Sequence, residues 1–196
     1  MPNLLELDLS SNKFKQFEYV GIWRRCHLKQ LRASDNDIDE DMIDSPTNTS
    51  ECSQYALEGL YLGWNLIGKI PERLGRLANL RVLDLSASRL TGPIPESVRK
   101  LRFLEVLDLS YNQLIGAIPT FLGQLSILDL SHNQFNGSIP EYFGNLATLT
   151  DLNLGSNQLT GPIPASLGRV VSLETVLVNS NLLNGTVPDL CPHGCG

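Results

Sequence analysis

Few residues in this chain have the types and spacing that chemistry requires. The three histidines, His27, His132 and His193, are far apart in the chain. No nucleophile elbow, phosphate loop, kinase motif or metal-ligand pair at helical spacing accompanies them. Asp35-x-Asp37-x-Asp39 has the opening spacing of a calcium loop. Glu40, however, stands where such a loop needs glycine, and Pro46 where it needs its final carboxylate. Cys191-Pro192-His193-Gly194-Cys195 offers three potential ligands, one fewer than a closed zinc site uses. The expectation is therefore no catalytic residue, no metal and no cofactor. Recognition chemistry has better candidates. Tyr61, Trp64, Tyr111 and His132 are aromatic groups at recurrent positions, and aromatic anchors dominate binding surfaces. Asp84, Asp108 and Asp129 recur in step with them and suit a basic ligand, although the same aspartates also serve simply to keep a surface soluble.

What positions these residues is a phrase of about 24 residues that repeats along the chain. One copy reads Leu149, Leu152, Leu154, Asn157, Leu159, Gly161, Ile163, Pro164. The next reads Leu173, Val176, Val178, Asn181, Leu183, Gly185, Val187, Pro188. The landmark asparagine falls at Asn12, Asn36, Asn65, Asn112, Asn133, Asn157 and Asn181, with Ser88 in its place once. The steps are 24, 29, 23, 24, 21, 24 and 24. A fixed period of this length means stacked coils, here about eight, spanning residues 1–190, with a short Cys-containing tail at 191–196. The long step holds an acidic insertion at 37–54. The 23-residue step lacks a spacer before Gly68. The 21-residue step drops three residues near Leu125, which must close one coil and open the next.

Each coil divides by pattern. Leu149-Thr150-Asp151-Leu152-Asn153-Leu154 alternates as a half-buried strand does. Pro71 to Leu80 carries leucines three apart, which suits a 3₁₀ turn. Pro71, Pro95, Pro119, Pro140, Pro164 and Pro188 lack a backbone donor and belong at corners or edges. A lone coil buries too little to offset the entropy of ordering it, so neighbours must share one core. A buried carboxamide satisfies up to four hydrogen bonds and can tie adjacent coils. Ser88 reaches less far, so the ladder should weaken there.

The middle residue of each Leu-x-Leu points out of the sheet. That column reads Asp8, Arg32, Tyr61, Asp84, Asp108, Asp129, Asn153, Leu177. Three residues on, a second column reads Ser11, Asp35, Trp64, Ala87, Tyr111, His132, Ser156, Ser180. The net charge of −6 and pI of 5.0 disfavour nucleic acid, which needs a basic stripe. No run of ~18 apolar residues exists to span a membrane. Met1-Pro2-Asn3 leads straight into repeat leucines, with no signal peptide between. Cys26 and Cys52 precede corresponding strands of stacked coils, which brings them close enough for a disulfide; two buried thiols are the alternative. Asn48, Asn136 and Asn184 head Asn-x-Ser/Thr glycosylation sequons, and the last two share one repeat position.

The phrases Leu-Asp-Leu-Ser-Tyr-Asn-Gln-Leu-Ile-Gly-Ala-Ile-Pro (107–119) and Leu-Asn-Leu-Gly-Ser-Asn-Gln-Leu-Thr-Gly-Pro-Ile-Pro (152–164) resemble the plant-specific leucine-rich repeat. Ile22-Trp23-Arg24-Arg25-Cys26-His27-Leu28, Glu51-Cys52-Ser53 and Leu57-Glu58-Gly59-Leu60 resemble plant receptor-like proteins of the cell surface. The similarity covers about residues 3–190. It implies an α/β repeat solenoid, a right-handed superhelix with a parallel β-sheet on its concave face. Short 3₁₀ turns and a second short strand per coil are implied on the convex side. It further implies an extracellular ectodomain that senses peptide or protein ligands, often with a co-receptor kinase. The family's secretion signal, caps, membrane helix and kinase domain do not match anything here, so the chain reads as a piece of a longer protein with solenoid ends prone to associate. The alternatives are a secreted inhibitor of a microbial wall-degrading enzyme and a non-functional truncated gene fragment. If the sequons are used, glycosidase treatment of secreted protein will increase gel mobility. Asn136→Gln with Asn184→Gln will remove most of that shift.

Overall fold

The computed structural model describes residues 4–15, 25–39 and 52–190. Eight three-residue strands form one all-parallel sheet: β1 (Glu6–Asp8), β2 (Gln30–Arg32), β3 (Gly59–Tyr61), β4 (Val82–Asp84), β6 (Val106–Asp108), β8 (Ile127–Asp129), β10 (Asp151–Asn153) and β12 (Thr175–Leu177). They follow one another across the sheet in chain order, one per coil. The register repeats without slippage: Leu31 pairs with Leu60, Leu60 with Leu83, Leu83 with Leu107, and Leu107 with Leu128. Each strand is short because only its central leucine turns inward. These leucines are almost wholly buried, while their two neighbours face outward.

A second parallel sheet lies on the return side: β5 (Thr91–Gly92), β7 (Gln113–Ala117), β9 (Gln134–Gly137), β11 (Gln158–Gly161) and β13 (Leu182–Leu183), in spatial order β13-β11-β9-β7-β5. It occupies the last five coils. Earlier, the described residues hold only an isolated bridge between Asp39 and Leu66. Among the described residues, the coil that lacks the spacer before Gly68 has only this bridge where later coils have a second strand.

Prolines sit at the corners, as the sequence implied. Pro71, Pro95, Pro140 and Pro164 each adopt extended backbone and cap a five-residue 3₁₀ turn. Pro119 precedes no such turn, because its coil is the one shortened by three residues. Leu125 is buried there and serves both coils. Between the sheets and the turns runs a single, mainly aliphatic core, from Leu28 to Val170, with Phe135 and Phe143 as its largest fully buried side chains.

The asparagine ladder couples the coils. Asn133 Nδ2 donates to Leu109 O of the preceding coil and to Leu130 O and Ser131 O of its own; its Oδ1 accepts from Leu114 N–H. Asn65, Asn112 and Asn157 repeat the set. Ser88 donates to Leu62 O and Ser86 O. It cannot reach Ile67 N–H, the donor this position serves elsewhere, and it makes no bond to the Leu85 carbonyl, so the rung is two bonds poorer. Cys26 and Cys52 form a disulfide with Cα atoms 5.4 Å apart, joining the second coil to the approach of the third at the base of the insertion. Residues 40–51 of that insertion, and Cys191, His193 and Cys195, lie outside the described residues.

Asn133→Ala strands the buried Leu114 N–H and removes one of the two bonds held by each of Leu109 O, Leu130 O and Ser131 O; it will lower unfolding free energy by about 3 kcal/mol. Ser88→Ala will cost about half as much. Urea titration of both variants measures the difference.

Candidate functional site

Strand period two puts both ends of every three-residue strand on the open face. The register therefore sets Tyr61 beside Asp84, Asp84 beside Asp108, and Asp108 beside Asp129. The same geometry turns outward a column that the sequence reading omitted, Gln30, Val82, Val106, Ile127, Asp151 and Thr175, with Gly59 at the same register position but buried. Over the middle coils, Val82, Val106 and Ile127 form an apolar strip beside the aspartate row. The residue before each inward leucine, read as carefully as the residue after it, would have revealed this strip.

The aspartates have a local task. Asp84 Oδ1 accepts from Ser86 N–H and from the Ser86 hydroxyl, and Asp108 does the same with Ser110. Asp129 accepts from Ser131 N–H, and its other oxygen accepts from Asn153 Nδ2. Each carboxylate thus closes the turn that ends its strand. A second consequence is electrostatic. Burial pushes the Asp108 carboxyl above its usual value of 3.8; the Ser110 hydrogen bonds oppose this, and the flanking charges of Asp84 and Asp129 add to it. A cation laid along the row would relieve that repulsion.

The loop column carries the aromatics. Every member has left-handed backbone: φ is 59° at Trp64, 49° at Ala87, 55° at Tyr111 and 52° at His132. Non-glycine residues enter this region at a cost, and bulky ones rarely do. The ladder asparagine that follows holds the turn in place. The result lifts side chains off the scaffold: Trp64 is 68% exposed and Tyr111 61%. Tyr111 stacks on His132, ring centroids 4.1 Å apart and planes within 10°. Ala87, one coil between Trp64 and Tyr111, leaves space between them. A groove of ≈ 420 Å³ follows, bounded by Trp64, Leu66, Ala87, Arg89, Tyr111 and Gln113.

Tyr61 differs from the other aromatics. The Arg32 guanidinium lies 4.9 Å from its ring centroid, so one face is already engaged. The structure thus brings Asp84, Asp108, Asp129, Trp64, Tyr111 and His132 to one face, with Tyr61 at its border. Among the described residues, no three His, Cys, Asp or Glu side chains converge as a metal site would require. Asn136 is exposed on β9, and Asn184 is exposed just after β13, two coils further. Both lie on the second-sheet flank, away from the open face. Asn48 lies outside the described residues.

The family description "Leucine rich repeat" matches residues 55–114 and 123–183, and a second leucine-rich-repeat description matches residues 1–15. No relative is found among curated proteins. Solved structures give clearer company. The ectodomain of the Arabidopsis receptor kinase HAESA, in complex with an extended IDA peptide hormone, is 33% identical with a TM-score of 0.78; the match covers 93% of this chain and 30% of that one. The plant peptide hormone receptor RGFR1, in complex with RGF2, is 28% identical with a TM-score of 0.74, covering 95% and 34%. PEPR1 with AtPEP1 is 29% identical with a TM-score of 0.71, covering 95% and 30%. The chain spans about a third of the length of each of these ectodomains.

The raised Asp108 carboxyl has a pH signature. The folded state holds this proton at pH values where the unfolded chain has lost it. The associated stability is complete below the usual carboxylate value and is lost as pH rises through the raised one. Asp108→Asn keeps an oxygen for Ser110 N–H, as Asn153 does for Gly155 N–H. It will stabilise the fold at pH 7 by about 1 kcal/mol. Thermal melts will show that gain shrinking as pH falls through the raised value and vanishing below the usual carboxylate value.

Proposed function

The chain belongs to the leucine-rich-repeat family, and from that premise we propose that it is a non-catalytic recognition module of a plant cell-surface receptor-like protein. In this reading it acts at the extracellular face of the plasma membrane or in the apoplast, as part of a longer protein. It binds a peptide or protein ligand in defence or development signalling, with a co-receptor kinase as a further partner. Among the described residues no helix is long and apolar enough to cross a membrane.

The observation that carries the reading is the open face over the middle coils. Two exposed aromatics, Trp64 and Tyr111, stand on strained turns beside a carboxylate row and an apolar strip. Exposed aromatics held rigid lose little entropy on binding and make effective anchors. The eight-stranded face spans about 38 Å at ~4.8 Å per strand. An extended segment of about 11 residues fills that length. Support also comes from the similar HAESA ectodomain, whose structure holds a peptide hormone, and from the peptide hormone receptor RGFR1, whose structure holds RGF2. The ligand chemistry that fits is an extended segment with basic side chains over Asp84, Asp108 and Asp129 and an apolar side chain beside Trp64.

A library of synthetic 11-residue peptides, graded in basic content and screened by calorimetry, tests this. Basic members with an apolar residue will bind. Trp64→Ala and Tyr111→Ala will each weaken them about tenfold or more, and added salt will weaken them further. Binding untouched by both substitutions would sink the assignment.

A further inference from the structure

The shortened coil leaves a feature that the open-face reading does not use. In a regular coil the 3₁₀ turn is followed by a short run such as Leu77-Ala78-Asn79-Leu80 before the next strand. The counterparts are Leu101-Arg102-Phe103-Leu104, Leu146-Ala147-Thr148-Leu149 and Val170-Val171-Ser172-Leu173. In the coil that leads to β8, Leu125 passes directly to Ser126, so three residues of this run are missing. Its turn also fails to form a 3₁₀ helix. The flanking coils do not close over the gap, because their spacing is set by the parallel sheet and the ladder. A notch of ≈ 850 Å³ remains, with Phe103 and Glu105 on one side and Tyr142, Asn145, Ala147 and Thr148 on the other. Gly123, Gln124 and Ser126 form its floor.

Three observations describe what the notch offers. The Phe103 ring is 53% exposed on the notch wall. The carboxamides of Gln124 and Asn145 stand exposed at floor and wall, without a partner among the described residues. Third, the Tyr142 hydroxyl faces this floor: a Cβ on Gly123 would lie 3.1 Å from it. The local sequence registers the gap as well. Gly144 faces the next turn so closely that a Cβ would lie 2.5 Å from Ser166 O. The matching position before the notch is Arg99, a side chain that only the missing turn leaves room for.

We propose that this notch is a saccharide-binding site that takes a neutral oligosaccharide. An exposed aromatic plane covers the apolar face of a sugar ring. Carboxamides and hydroxyls both donate and accept, which matches a ligand whose every hydroxyl does both. The volume lies within the range of small-ligand clefts. The one charged side chain that lines the notch, Glu105, is paired with Arg81. That pairing favours an uncharged ligand over a uronate. A protein loop would instead need a wider apolar contact than one phenylalanine offers. The same neutral chemistry is found in a wall glucan or xylan and in the glycan of a partner glycoprotein.

The test is calorimetry on the chain with neutral glucose and xylose hexasaccharides, a free high-mannose glycan, and a galacturonate hexasaccharide. At least one neutral sugar will bind; which one identifies the source. Phe103→Ala and Gln124→Gly will each weaken binding about tenfold. Gln124 has a φ of 56°, so glycine there removes the carboxamide without straining the backbone. Inserting Ala-Asn-Leu between Leu125 and Ser126 restores the 24-residue step; it will abolish sugar binding and raise the melting temperature. Trp64→Ala will leave sugar binding unchanged, which separates this site from the open face. Failure of every neutral sugar to bind, binding that survives the insertion in a folded protein, or salt-sensitive binding of the galacturonate alone would each overturn the proposal.

Discussion

The interaction on which this structure depends is the bond between one coil and the next through a buried carboxamide. A short strand contributes only a few ladder hydrogen bonds, and a single inward leucine cannot hold a coil in register. Asn36, Asn65, Asn112, Asn133 and Asn157 solve this by binding backbone groups of two coils at once. Each side chain is buried, so a lost bond cannot be replaced by water. The aliphatic core supplies most of the driving force. The carboxamides determine which stacking that force produces.

The same device sets up the recognition face. The residue just before each ladder position is left-handed in all eight coils, whatever its identity. A tryptophan or tyrosine would not choose that conformation alone. It is imposed because the following residue must reach inward to its carbonyls. The strain is thus supported by the scaffold and appears on the surface as fixed, outward-pointing side chains. Rigidity here is useful, since a presented ring that is already ordered need not be ordered again on binding.

Irregular steps carry as much information as regular ones. The 29-residue step is closed at its base by the Cys26–Cys52 bridge, which separates an acidic excursion from the coil geometry. The 23-residue step comes just before the second sheet begins at β5. The 21-residue step opens a gap in the turn wall. In each case the sheet register continues undisturbed, so the deviation is expelled to the edge or the return side. A stacked-coil protein accommodates insertions and deletions where coils do not bond to their neighbours.

Period and residue type alone determined the coil number, the inward leucines, the corner prolines, the 3₁₀ turns and the weak rung at Ser88, because each follows from local spacing and hydrogen-bonding capacity. They also placed Asp84, Asp108 and Asp129 in one row. Tertiary structure decided the rest. The Val82–Val106–Ile127 strip, the left-handed turns under Trp64 and Tyr111, the Arg32 guanidinium over Tyr61, and the notch beside Phe103 all arise between coils. A sequence lists what each coil contains. Only stacking, set by strand spacing and buried carboxamides, determines which side chains of different coils stand next to one another.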